Sequence, residues 1–91
     1  MISVVVPCYN EEKMLHVFYH EFCKVRESMY DTEFELIFVD NGSTDQTLKF
    51  IKELACMDET VMYLSFSRNF GKEAAIYAGL ESCSGDFAVI M

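Results

Sequence analysis

The chain has 91 residues, a formal net charge of −8 and 52% hydrophobic residues, with four glycines and one proline. That length suits one domain around one modest core, and the composition excludes a disordered or collagen-like polymer. Seven basic residues against fifteen acidic ones argue against a nucleic-acid partner, because neutralising phosphates takes lysine and arginine.

The first element is "ISVVVP" (2–7), a β-branched run that reads as a buried strand ended by Pro7. Asn10 is the expected N-cap of the next helix, with Glu11 and Glu12 suited to the positive end of its dipole. Apolar residues then recur at Met14, Leu15, Phe18, Phe22, Val25 and Met29, steps of three and four that predict one buried helix face. His16 and His20 lie one turn apart on this helix. They lack an H-E-x-x-H pattern and are expected on the surface.

"FELIFVD" (34–40) is a second strand ending on Asp40. "NGSTDQT" (41–47) turns into a second helix, and Ser43 and Gln46 have the spacing of a capping box. "VMYLSF" (61–66) reads as a third strand and "SRNFG" (67–71) as a loop. "KEAAIYAGLESC" (72–83) has the alanine-rich composition of a helix packed closely on a sheet, and "FAVIM" (87–91) begins a fourth strand. The fold class is therefore α/β: a Rossmann-like, mainly parallel sheet in βαβαβαβ order with helices on both faces, residues 1–91 forming one unit.

The four cysteines, at positions 8, 23, 56 and 83, form no C-x-x-C pair and read as reduced, mostly buried small hydrophobes. No apolar run approaches the ~18 residues of a membrane span. The N-terminus shows no basic segment followed by an apolar stretch, so a cytoplasmic location is expected.

In open parallel sheets, ligands bind beyond the carboxyl ends of the strands. Those ends here are Pro7–Glu11, Asp40–Asp45 and Ser67–Phe70. Tyr9 offers a flat amphipathic ring, and Asp40 offers an acceptor for the N–H groups of a base or the hydroxyls of a ribose. An aspartate at a strand end also serves commonly as a turn or cap residue. The first turn, "PCYNEE", holds no glycine, which excludes both the G-x-G-x-x-G dinucleotide fingerprint and the P-loop. A diphosphate bound here needs its charge met elsewhere, commonly by a divalent metal.

"VVVPCYNEE" (4–12), "VDNGSTDQT" (39–47) and "SRNFGKEAAIYAGLESCSGD" (67–86) occur in this order, and together they resemble the N-terminal half of family 2 glycosyltransferases of the GT-A fold. The third block is most similar to the polyprenyl-phosphate branch, the dolichol-phosphate mannosyltransferase and bactoprenol glucosyltransferase-like enzymes. The resemblance spans essentially the whole chain. It implies binding of a UDP- or GDP-sugar, with Pro7, Tyr9, Glu11, Asp40 and Asn41 at the nucleoside. Asn41 stands where the family usually has a second aspartate. Ser43 and Asp45 match the same block, with helix capping the alternative role. Arg68, Asn69 and Lys72 are expected near the diphosphate or sugar, with a surface or packing role the alternative.

The resemblance further implies a Mg²⁺ or Mn²⁺ cofactor held by an Asp-x-Asp motif that should begin where this chain stops, at Met91. Metal ligands and catalytic residues are thus expected outside these residues, so the chain reads as a truncated domain, inactive by itself. The implied acceptor is a polyprenyl phosphate or a cell-surface glycan at the inner membrane face. The rival expectation is an interaction or assembly module that self-associates through an open sheet edge.

Overall fold

The computed structural model describes all 91 residues, Met1–Met91. Four strands alternate with three helices: β1 (Ile2–Cys8), α1 (Glu12–Ser28), β2 (Phe34–Asp40), α2 (Thr47–Met57), β3 (Val61–Ser65), α3 (Lys72–Glu81) and β4 (Phe87–Ile90). The sheet order is β3-β2-β1-β4 and every pairing is parallel. Register sets Cys8 opposite Asp40 and Asp40 opposite Ser65, so three strands end side by side.

β1 and β2 are covered on both faces, which is why their sequences run apolar instead of alternating. Val4, Val6, Cys8, Leu36 and Phe38 pack on one face with Leu15 and Phe22 of α1 and Ile51 and Leu54 of α2. Val5, Ile37 and Val39 point the other way and pack with Ala75 of α3. The helices therefore lie on both faces. The alanine-rich composition of α3 suits close approach: a Cβ on Gly79 would stand 2.3 Å from Val5 Cγ1.

Capping departs from the sequence expectation. Glu11, not Asn10, occupies the N-cap of α1, and no side chain caps that helix. Asn10 has φ 50, a left-handed conformation that asparagine tolerates. Its Oδ1 accepts from the backbone N–H groups of Thr44 (2.8 Å) and Asp45 (3.3 Å) in the next loop. The capping box of Ser43 and Gln46 does not form either. α2 begins at Thr47, and Ser43 Oγ accepts from the Asn10 N–H at 2.9 Å. Parallel pairing sets the loops after β1 and β2 side by side, and their short polar side chains bond across the gap.

The apolar stripe of α1 is only partly covered. Leu15 and Phe22 are buried, whereas Met14, Val25 and Met29 are exposed. An apolar groove of 290 Å³ runs between α1 and the sheet, lined in part by Phe18, Phe22, Val25, Met29, Val89 and Met91. All four residues of β4 are exposed, Phe87 to 71%. Of the cysteines only Cys8 is buried; Cys23 and Cys83 are half-buried and Cys56 is exposed. The residues around Cys56 sit on the outer flank of α2, which no element covers. His16 and His20 are exposed, and His16 stacks on Phe50 at 3.7 Å.

A polar cluster ties α1 to the α2–β3 corner. Asp58 Oδ2 accepts from the Tyr19 hydroxyl (2.6 Å) and the Arg26 guanidinium (2.8 Å). Asp58 Oδ1 accepts from the Thr60 N–H (3.0 Å) and hydroxyl (2.7 Å). Burial pushes the Asp58 carboxyl up, but these hydrogen bonds outweigh it and hold the group well below the usual carboxylate range.

Candidate nucleotide site

At the carboxyl ends of β1 and β2 a cleft of 320 Å³ opens between three loops. Its wall consists of Pro7, Cys8, Tyr9, Glu11, Asn41, Asn69, Lys72 and Met91. Six of the eight residues expected from sequence (Pro7, Tyr9, Glu11, Asn41, Asn69 and Lys72) meet on this one wall. A wider depression follows α2 from Leu48 to Met57, but all its lining residues come from that single helix, so it is a helix flank without converging loops.

Pro7 sits half-buried in β1, opposite Val39. Beyond it Tyr9 is 42% exposed, its ring free on the cleft wall. Glu11 is exposed, and its backbone N–H donates to Thr47 Oγ1 at 3.0 Å, which seats the β1–α1 loop on α2. Lys72 is the first residue of α3 and brings an ammonium to the same wall.

Asp40 and Arg68 do not line the cleft. Asp40 is 1% exposed, beneath the wall. Its Oδ2 accepts from the Ser43 N–H at 3.3 Å, while its Oδ1 has no hydrogen-bond partner. A buried acceptor left unpaired costs on the order of 1–3 kcal/mol, so this atom stands ready for a donor. Arg68 is exposed and lies over the Phe70 ring, 4.7 Å from its centroid, and Phe70 packs edge-on against Phe66. Its guanidinium thus has the packing partner that was the alternative to a phosphate contact.

The side chain of Asn41 is spoken for at both ends. Its Nδ2 donates to the Gly71 carbonyl at 3.0 Å and its Oδ1 accepts from the Phe70 N–H at 3.0 Å. Asp45 Oδ1 accepts from the Thr47 N–H at 2.9 Å, and hydrogen bonding from Thr47 lowers its carboxyl below the usual range. Asp45 therefore closes a local side-chain turn just before α2, whose N-cap is Gln46.

Cys8, Met91, Gly42 and Thr47 belong to the site and were not singled out from sequence. Burial, and then the charges of Glu11 and Asp40, push the Cys8 thiol up, so it stays protonated and donates to the Val6 carbonyl at 3.3 Å. Gly42, with φ 80, lets the β2–α2 turn lie against the backbone of Arg68 and Asn69. The glycine after a strand-end Asp-Asn pair was a visible turn signal; what it packs on was not. No three His, Cys, Asp or Glu side chains stand together as a metal site. Glu11 is the sole carboxylate on the cleft wall, so this donor set does not fit a divalent cation.

The family model for Glycosyl transferase family 2 matches residues 3–91. The chain belongs to glycosyl transferase family 2. Its similarity to the bactoprenol glucosyl transferase of Shigella phage SfV is 46% identity over 88 residues, 97% of this chain and 28% of that protein. Among solved structures it is similar to S. aureus TarS in complex with UDP-GlcNAc, with TM-score 0.81 and 28% identity over 99% of this chain and 25% of that one. It also shares its fold with the Pyrobaculum calidifontis mannosyltransferase PcManGT in complex with GDP-Man and Mn²⁺, with TM-score 0.70 and 21% identity over 96% of this chain and 25% of that one. This family 2 glycosyltransferase chain thus spans about a quarter of the length of the relatives it matches. Its parallel α/β sheet is that of the GT-A glycosyltransferases it is similar to. No helix in it is long and apolar enough to cross a membrane.

Proposed function

We propose that the cleft at the ends of β1 and β2 binds the nucleoside diphosphate portion of a UDP- or GDP-sugar. The whole enzyme would transfer the sugar to a polyprenyl phosphate, or to a cell-surface glycan, at the cytoplasmic face of a membrane. The observation that carries this reading is the meeting of Tyr9, Glu11, Asn69 and Lys72 on one wall at the strand ends. The similarity to a bactoprenol glucosyl transferase and to UDP-GlcNAc-bound TarS supports the substrate class.

In this reading the Tyr9 ring packs on the base or ribose. The Asp40 carboxylate, with Oδ1 unpartnered, accepts an N–H of the base. Lys72 meets a phosphate oxygen, where a charge-assisted bond is roughly twice as strong as a neutral one. The acidic balance of the chain makes this ammonium the group on the wall that suits a diphosphate.

Titrating the chain with UDP and GDP should shift the amide resonances of residues 7–11 and 40–41 in nitrogen-15 NMR spectra. Shifts confined to other regions would remove the proposal. Mixed with Mn²⁺, a sugar nucleotide and a polyprenyl phosphate, this chain is expected to give no sugar transfer, because no cluster of metal-ligating side chains stands at its cleft. The exposed β4 favours a second reading, in which that edge pairs with another chain. Light scattering would then give a mass that rises with concentration, and a constant monomer mass would eliminate it.

A further inference from the structure

We infer that Asn41 is a positioning residue, whose amide clasps the β3–α3 loop and so holds Lys72 on the cleft wall. The inference rests on the nucleotide reading above for what Lys72 does there, but the clasp itself is geometric. Asn41 is 4% exposed, so its amide has no water to fall back on. It gives one donor to the Gly71 carbonyl and one acceptor to the Phe70 N–H, both at 3.0 Å. These partners also fix which way the amide points, since the flipped form would set donor against donor and acceptor against acceptor. An ionised carboxylate has only acceptors and could serve the Phe70 N–H but not the Gly71 carbonyl.

What the clasp holds is a segment in a conformation that suits only glycine. Gly71 has φ 97 and ψ 156, a region that is essentially restricted to glycine. Its N–H is taken by Asn69 Oδ1 at 2.8 Å. Lys72 follows at once as the first residue of α3. The Gly71 carbonyl also accepts from the Ala75 N–H at 3.3 Å, so losing the Asn41 donor removes its tie to the β2–α2 turn and loosens the residue that sets the direction of Lys72. The effect should fall on the diphosphate and spare the nucleoside, which meets Tyr9 on the opposite loop.

The test is Asn41→Asp and Asn41→Ala in the chain, titrated by NMR with UDP, GDP, uridine and guanosine. Asn41→Asp should weaken whichever diphosphate binds by about tenfold or more, because a buried acceptor then faces a carbonyl, while nucleoside affinity stays within about twofold. Asn41→Ala should show the same split with a smaller loss. Lys72→Met should mimic it, and the double variant Asn41→Ala with Lys72→Met should lose no more than Lys72→Met alone. Hydrogen exchange at the Phe70 amide, read without ligand, should speed up in Asn41→Ala, which removes its acceptor. Equal losses for nucleosides and diphosphates, additive losses in the double variant, or unchanged Phe70 exchange would each overturn the inference. If the wild-type chain binds none of the four probes, the nucleotide reading fails, and the Phe70 exchange decides the clasp by itself.

Discussion

Replacing Gly42 by alanine should destabilise the fold by about 2–4 kcal/mol, the sum of a strained left-handed φ and a clash with main chain. A Cβ at this position would stand 2.4 Å from the carbonyl carbon of Arg68, 2.6 Å from its Cα and 2.7 Å from the Asn69 nitrogen. Backbone cannot swing aside as a side-chain tip can, so the β3–α3 loop must lift off the β2–α2 turn. Gly71→Ala is the natural control. Its φ of 97 is equally unsuited to alanine, but no atom lies within 4 Å of the added Cβ. It should cost only the conformational term, about 1–3 kcal/mol. Urea denaturation midpoints at constant slope read both values. Equal midpoints for the two variants would mean that the loops are not packed as described. Because the Asn41 clasp spans the same gap, Gly42→Ala should also move the amide resonances of Asn69 and Gly71.

Asp58→Ala should cost about 3 kcal/mol, because the Tyr19 hydroxyl, the Arg26 guanidinium and the Thr60 N–H and hydroxyl all lose their acceptor at once. The Arg26 and Asp58 side chains are 29% and 11% exposed, so water replaces only part of what is lost. The same cluster predicts an acid dependence. The Asp58 carboxyl lies below its ordinary value in the folded chain, so folding favours its ionised form. Its contribution is fully present above the unfolded value of about 3.9, and it is lost as pH falls from there toward the folded value. The melting temperature of the wild-type chain should therefore drop on acidification below about pH 4 more steeply than that of Asp58→Asn, which has no proton to take up. Parallel curves for the two proteins would remove Asp58 as the source.

Much of the architecture was legible in the residues. Three apolar runs at 2–7, 34–40 and 61–66, each followed by a helical pattern, required crossovers and hence a parallel sheet. The absence of glycine from "PCYNEE" is enough to exclude the common phosphate loops. The assembly of Pro7, Tyr9, Glu11, Asn41, Asn69 and Lys72 on one wall follows from the same topology, because parallel strands send all their carboxyl ends to one edge.

The misreadings share one cause. Asn10 and Ser43 are expected from sequence to cap their own helices, and each is instead engaged by another loop. Asn10 accepts from residues 34 and 35 positions away, and Asn41 reaches 29 and 30 positions along the chain. A short polar side chain at a strand end can cap its own helix, bond to a neighbouring loop or face a ligand at similar energy. Local sequence does not choose among these. The same limit explains α1: its period of three to four marked an apolar stripe, but the coverage of Met14, Val25 and Met29 depends on what packs beside α1.

Sequence by itself therefore determined the order of elements, the parallel sheet, the edge that carries the cleft and the family, because hydrophobic periodicity and turn chemistry act over a few residues. Only the tertiary structure decided which polar groups stay free for a ligand: Tyr9 and Lys72 on the wall, Asp40 buried with one idle oxygen, Asn41 committed to the loop beside it. The physical reason is that hydrogen-bond partners at the sheet edge come from loops brought together by strand register, and register is a property of the folded sheet as a whole.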